Sequence, residues 1–140
     1  MKEKSSSIEN RILGEFRNIA VVGLSANSER PSYRVASYLA EQGYNIIPVN
    51  PNAQEVLGKK SYPDLSSIPE TVDVVEIFRR SEDVMPVVEE AIKIGAKAVW
   101  MQEGIVNEEA AARARGAGLL VVMDKCMFKE HQRMIQEQNN

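Results

Sequence analysis

Asn18-Ile19-Ala20-Val21-Val22-Gly23-Leu24 decides the fold. Apart from Asn18 and Gly23 the run is wholly apolar, so the strand it predicts is buried on both faces. Such a strand belongs in the middle of a parallel sheet. A polar loop, Ser25 to Arg30, follows it, and Pro31-Ser32 opens a helix with Val35, Ala36, Leu39 and Ala40 as its apolar stripe. Gly43 is a suitable residue to stop that helix. Upstream, Ile8, Ile12, Leu13 and Phe16 share one face, which predicts an amphipathic helix over residues 5–17 capped by Ser6 or Ser7.

The strand–helix pattern then recurs. Tyr44 to Val49, Val72 to Phe78, Lys97 to Met101 and Leu119 to Met123 read as further strands. Asp83 to Ile94 and Asn107 to Arg115 read as helices between them, and a last amphipathic helix covers residues 128–136. Residues 52–71, rich in serine, proline and glycine, read as mostly loop with one short helical turn. Alternating elements of this length predict βαβ units. The expectation is a Rossmann-like, doubly wound α/β domain with a five-stranded parallel sheet, spanning residues 1–140 as a single unit.

Composition narrows the function. The 140 residues carry a net charge of −3, against a broad electrostatic grip on nucleic acid. No apolar run approaches a membrane span, and the polar start Met1 to Asn10 has no signal-peptide core, so a cytoplasmic protein is expected. A lone cysteine, Cys126, excludes an internal disulfide, and a single histidine excludes a multi-histidine metal site.

In an open parallel sheet, ligands bind outside the strand carboxyl ends. Those ends carry Gly23-Leu24-Ser25, Asn50-Pro51, Arg79-Arg80, Gln102-Glu103-Gly104 and Asp124-Lys125-Cys126. Gly23 lets backbone approach a ligand, and the helix opening at Pro31-Ser32 points N–H groups and its positive dipole end at the loop. Ser25, Ser32, Arg30 and Arg34 add hydroxyls and charge suited to phosphate. A nicotinamide dinucleotide is a poor match. The G-x-G-x-x-G pattern is absent, and Val49-Asn50-Pro51 stands where an acidic residue would hold a ribose.

Val21-Val22-Gly23-Leu24-Ser25, Arg30-Pro31-Ser32, Gly43-Tyr44, Pro48-Val49-Asn50-Pro51, Val72-Asp73-Val74-Val75, Ile77-Phe78-Arg79 and Trp100-Met101-Gln102-Glu103-Gly104-Ile105 together resemble the small stand-alone CoA-binding proteins. They are also similar to the N-terminal CoA-binding domain of the succinyl-CoA synthetase α subunit. The resemblance implies coenzyme A, or an acyl-CoA, as ligand. By it, Gly23, Leu24, Ser25, Arg30, Ser32 and Tyr33 would line the phosphates. Val49, Asn50 and Pro51 would border the adenosine with Phe78 and Arg79 beside it, and Gln102 and Gly104 would meet the pantetheine arm.

The chain stops before the second domain that carries the ligase's phosphorylated histidine, so ligase activity by the chain alone is not expected. Two other readings stay open. Cys126 could exchange thiols or acyl groups with the ligand, or be a small residue filling a turn. Alternatively, the domain could regulate a protein partner, which the sequence does not identify, through nucleotide occupancy. His131, five residues past Cys126, is a candidate partner for the thiol but equally a structural histidine on a terminal helix. Trp100 reads as core.

Overall fold

The computed structural model describes residues 7–139; Ser5 and Ser6, where the expected first helix begins, lie outside them. Helix α1 (Ile8–Glu15) starts at Ser7, whose hydroxyl accepts from the Asn10 amide at 3.1 Å. It leads to β1 (Asn18–Val22), α2 (Pro31–Glu41) and β2 (Asn45–Val49). Two short strands follow, β3 (Glu55–Val56) and β4 (Lys59–Lys60), then β5 (Val74–Ile77) and α3 (Val84–Lys93). The chain closes with β6 (Ala98–Met101), α4 (Glu108–Gly116), β7 (Leu120–Val122) and α5 (Met127–Gln138).

Five strands form one parallel sheet in the order β2-β1-β5-β6-β7, a Rossmann-like doubly wound α/β fold. The chain winds outward from β1 to β2, then returns past β1 to β5 and proceeds in the other direction. A crevice therefore opens between β1 and β5, where consecutive connections leave on opposite faces. Strand alternation fills both faces. Ala20, Val22, Val75, Ile77, Val99 and Met101 pack under α3 and α4 with Val84, Val88 and Ala111. Ile19, Val21, Val74, Ala98 and Trp100 pack under α1, α2 and α5 with Leu13, Leu39 and Met134. Trp100 is fully buried and its indole N–H donates to the Lys125 carbonyl at 2.8 Å, so it is core rather than a stacking surface.

Residues 52–71 hold more order than their composition suggested. The short helical turn is a 3-10 turn at Leu65–Ser67, capped by Asp64. Ahead of it β3 and β4 form an antiparallel hairpin, turned by Leu57 at φ 56° and Gly58 at φ 72°. The chain just beyond the hairpin borders the edge of β2. Tyr62 donates its N–H to the Pro48 carbonyl at 3.0 Å and accepts from the Asn50 N–H at 2.9 Å. Without that cover, β2 would end the sheet as an open edge.

Candidate functional site at the β1–β5 crevice

Gly23 ends β1 at φ +89°, a conformation that favours glycine. A methyl group on it would lie 2.2 Å from the Phe78 carbonyl oxygen and 3.3 Å from an Arg79 guanidinium nitrogen. The two central strands approach closely here because nothing projects between them. The ladder runs right up to this point, with the Gly23 N–H on the Val49 carbonyl at 2.9 Å and the Phe78 N–H on the Val22 carbonyl at 2.8 Å. Beyond it the loops part, leaving a cleft of ≈ 350 Å³ lined by Gly23, Ser25, Arg30, Pro31, Ser32 and Phe78.

Charge in the cleft is left uncompensated. Arg30 is the N-cap residue of α2 and its side chain does not cap the helix; Pro31 has no N–H and the Tyr33 N–H is held by the Arg30 carbonyl at 3.1 Å, which leaves the Ser32 N–H and the positive dipole end. Neither Arg30, Arg34 nor Arg79 forms a side-chain hydrogen bond or ion pair among the described residues. Several cations elsewhere do: Arg80 pairs with Asp83 at 3.0 Å, Arg113 with Glu89 at 2.9 Å and Lys129 with Glu103 at 3.0 Å. The adjacent pair Arg79-Arg80 thus splits, one half-buried at the crevice and the other in a surface ion pair.

Several polar residues expected to face a ligand instead build the walls. The Ser32 hydroxyl, buried, accepts from the Ser25 N–H at 3.0 Å and fixes the β1–α2 loop. Asn50 donates to the Leu24 carbonyl at 2.9 Å and accepts from the Asn52 N–H at 2.8 Å. Leu24 and Val49 are core residues whose backbone carbonyls take part in these contacts. Tyr33 packs partly against the α2 layer, and Pro51 is exposed on the turn beyond β2.

The carboxyl ends of β6 and β7 form a second cluster. Gln102 is buried, its Oε1 3.4 Å from the Met127 N–H at the start of α5. Gly104, at φ +87°, donates its N–H to Asp124 Oδ1 at 2.7 Å. Asp124 itself adopts φ 63°, uncommon for a side-chain-bearing residue. Its hold on the Gly104 turn spans 20 residues of chain, and only the fold brings the two together. Cys126, partly buried, is the N-cap residue of α5.

His131 does not join Cys126. It is buried on α5, sharing a 2.7 Å hydrogen bond with the Tyr38 hydroxyl of α2 and meeting the Tyr44 ring edge-on. Burial, aided by the nearby Arg17 cation, holds its pKa below the usual histidine value. It ties α2 to α5 as a neutral group. Among the described residues, no cluster of three or more histidine, cysteine or acidic side chains could hold a metal ion, and no helix is long and apolar enough to cross a membrane.

A family model described as CoA binding domain matches residues 17–132. The uncharacterized protein YneT of Bacillus subtilis is 40% identical over 131 residues, 94% of this chain and 97% of its own. A hypothetical protein of Pyrococcus horikoshii, of solved structure, is 41% identical and superposes with a TM-score of 0.88 over 96% of this chain and 99% of its own. The ADP-forming acetate–CoA ligase II of Archaeoglobus fulgidus is 34% identical over 95 residues, 66% of this chain. The matched segment makes up only 14% of that ligase.

Proposed function

The chain belongs to the CoA binding domain family, and on that premise we propose that it holds coenzyme A, or an acyl-CoA, at the carboxyl ends of its strands. The observation that carries this reading is a pair of unpaired arginines at the close approach of Gly23: Arg30 lines the cleft at the head of α2, and an Arg79 guanidinium nitrogen lies beside Gly23. Coenzyme A brings a pyrophosphate and a ribose phosphate, and guanidinium groups bind phosphate through two parallel hydrogen bonds. In this reading Ser25, Arg30 and Arg79 take the phosphates. Phe78 and the turn at Asn50 and Pro51 flank the adenosine, and Gln102 and Gly104 border the pantetheine arm. In this reading the module works in the cytoplasm.

The geometry disfavours a nicotinamide dinucleotide. Asn50 occupies the ribose-binding position, and its amide is already bonded to Leu24 and Asn52. Thermal unfolding with each ligand tests the choice. Coenzyme A at a hundredfold over its dissociation constant stabilises by about 2.7 kcal/mol, a rise on the order of 8 °C for a domain this size. NAD gives a far smaller rise; an NAD shift equal to that of coenzyme A would overturn the reading.

The position of Cys126 at the start of α5, one strand from the Gly104 turn, favours a second reading. There its thiol attacks a CoA disulfide, forming a protein–CoA disulfide and releasing one free CoA thiol. Intact mass after incubation with CoA disulfide decides it: an adduct on native wild-type protein, absent in Cys126→Ser, supports exchange. Labelling only after unfolding removes it.

A further inference from the structure

Position 76 places a carboxyl in the middle of β5, in register with Val21 of β1 and Trp100 of β6. By strand alternation it points to the same face as Val74, toward the layer of α1, α2 and α5. Its side chain is fully buried, and among the described residues its two oxygens are the buried side-chain polar atoms without a hydrogen-bond partner. The ionisable groups of that layer do not reach it. On α2, Tyr38 is bonded to His131 of α5, and Tyr44, just before β2, donates to the Leu13 carbonyl of α1. Tyr33 of α2 and Cys126 at the head of α5 form no bond to it, and β1 and β6 present Val21 and Trp100. The cations next to the layer, Arg17 and Lys125, engage the Leu13 and Phe16 carbonyls and Glu9 respectively.

An apolar residue of similar size would pack here without penalty, whereas an isolated buried carboxylate is very costly. The acid therefore keeps its proton in the closed fold, burial pushing its pKa up to about 8. Its location gives that proton a consequence. Two residues further, just past the end of β5, is Phe78, a wall of the cleft, and two residues beyond its β1 neighbour is Gly23.

We propose that Glu76 is a proton-operated latch beneath the cleft: with its proton on, the layer of α1, α2 and α5 seats on the sheet face below the β1–β5 crevice, and proton loss admits water and loosens that layer. The latch regulates the site assigned above to coenzyme A, and to that extent rests on that reading. The folded pKa lies above the ordinary carboxyl value, so closure is strongest below that value and weakens as pH rises toward 8. With an ordinary pKa of 4.5 in the open state, the opening equilibrium grows about 50-fold from pH 6 to pH 8 and only about twofold more by pH 10.

Hydrogen exchange of the ligand-free protein at pH 6 and pH 8, corrected for intrinsic rates, reads this directly. Amides of β5 and of the α1, α2 and α5 layer that exchange by local opening lose about 50-fold of their protection in wild type, while locally exchanging amides of α3 and α4, on the other face, hold theirs. Glu76→Met and Glu76→Gln abolish the difference between the two pH values. In parallel, Trp100 emission shifts toward the red with a midpoint near pH 8 in wild type and in Cys126→Ser, but not in Glu76→Met. An unchanged pH dependence in either Glu76 variant, or equal loss across α3 and α4, would overturn the latch. Both readings are taken without coenzyme A, so a failure of that ligand to bind would leave them standing.

Discussion

Replacing Gly23 by alanine tests the geometry on which the cleft depends. The substitution carries two costs that a second glycine separates. Gly43 has φ +99°, close to the +89° of Gly23, yet a methyl there meets nothing within 4 Å. Gly43→Ala thus reports backbone strain alone, about 1–2 kcal/mol for an L-residue in the left-handed region. Gly23→Ala adds a methyl 2.2 Å from the Phe78 carbonyl oxygen, more than 1 Å inside an ordinary carbon–oxygen contact. Since the obstacle is backbone held by the Phe78-to-Val22 hydrogen bond, β1 and β5 must separate, an overpacking cost of about 1–3 kcal/mol more. Urea unfolding of the two variants should therefore place Gly23→Ala about 1–3 kcal/mol below Gly43→Ala. Coenzyme A affinity should fall in the first and hold in the second. Equal stability losses, or undiminished affinity in Gly23→Ala, would refute the close approach as the organising feature of the site.

Arg30→Ala and Arg79→Ala should each weaken coenzyme A binding about ten- to a hundredfold in calorimetric titration, as loss of a charge-assisted phosphate contact requires. Arg113→Ala, whose guanidinium is bonded to Glu89 on the α3–α4 face, should bind normally; equal losses in all three would mean diffuse attraction rather than a site. His131 has its folded pKa below the free value of about 6.5, so it contributes stability above that pH which is lost as pH falls below it. Tyr38→Phe removes its hydrogen-bond partner and should cost about 1 kcal/mol at pH 7 in urea unfolding, with a shallower acid loss below the free histidine value. An acid profile unchanged by that variant would exclude the Tyr38–His131 contact from this behaviour.

The sheet was legible because its strands are largely apolar runs, and Gly23 and Pro51 mark where the first two stop. The β3–β4 hairpin was not, because two-residue strands leave no periodicity and Leu57 is a poor advertisement for a left-handed turn. At the strand ends, the fold brings Gly23, Arg30 and Arg79 to one crevice. The strand-end rule does not tell which polar groups there are already bonded to backbone. Ser32 and Asn50 have partners 7 and 26 residues away in the chain, and only the fold brings them together. Glu76 shows the same limit from the other side: an acid inside an apolar strand is visible in sequence, but its lack of any partner is not.

Amide chemical-shift mapping with coenzyme A tests the central claim most directly. Titrating the ligand into isotopically labelled protein should shift the amides of Gly23, Ser25, Ser32, Phe78 and Arg79, with a smaller set at Gly104, and leave α3 and α4 unmoved. Shifts confined to the α3–α4 face, or none at millimolar coenzyme A, would contradict a CoA site at the β1–β5 crevice.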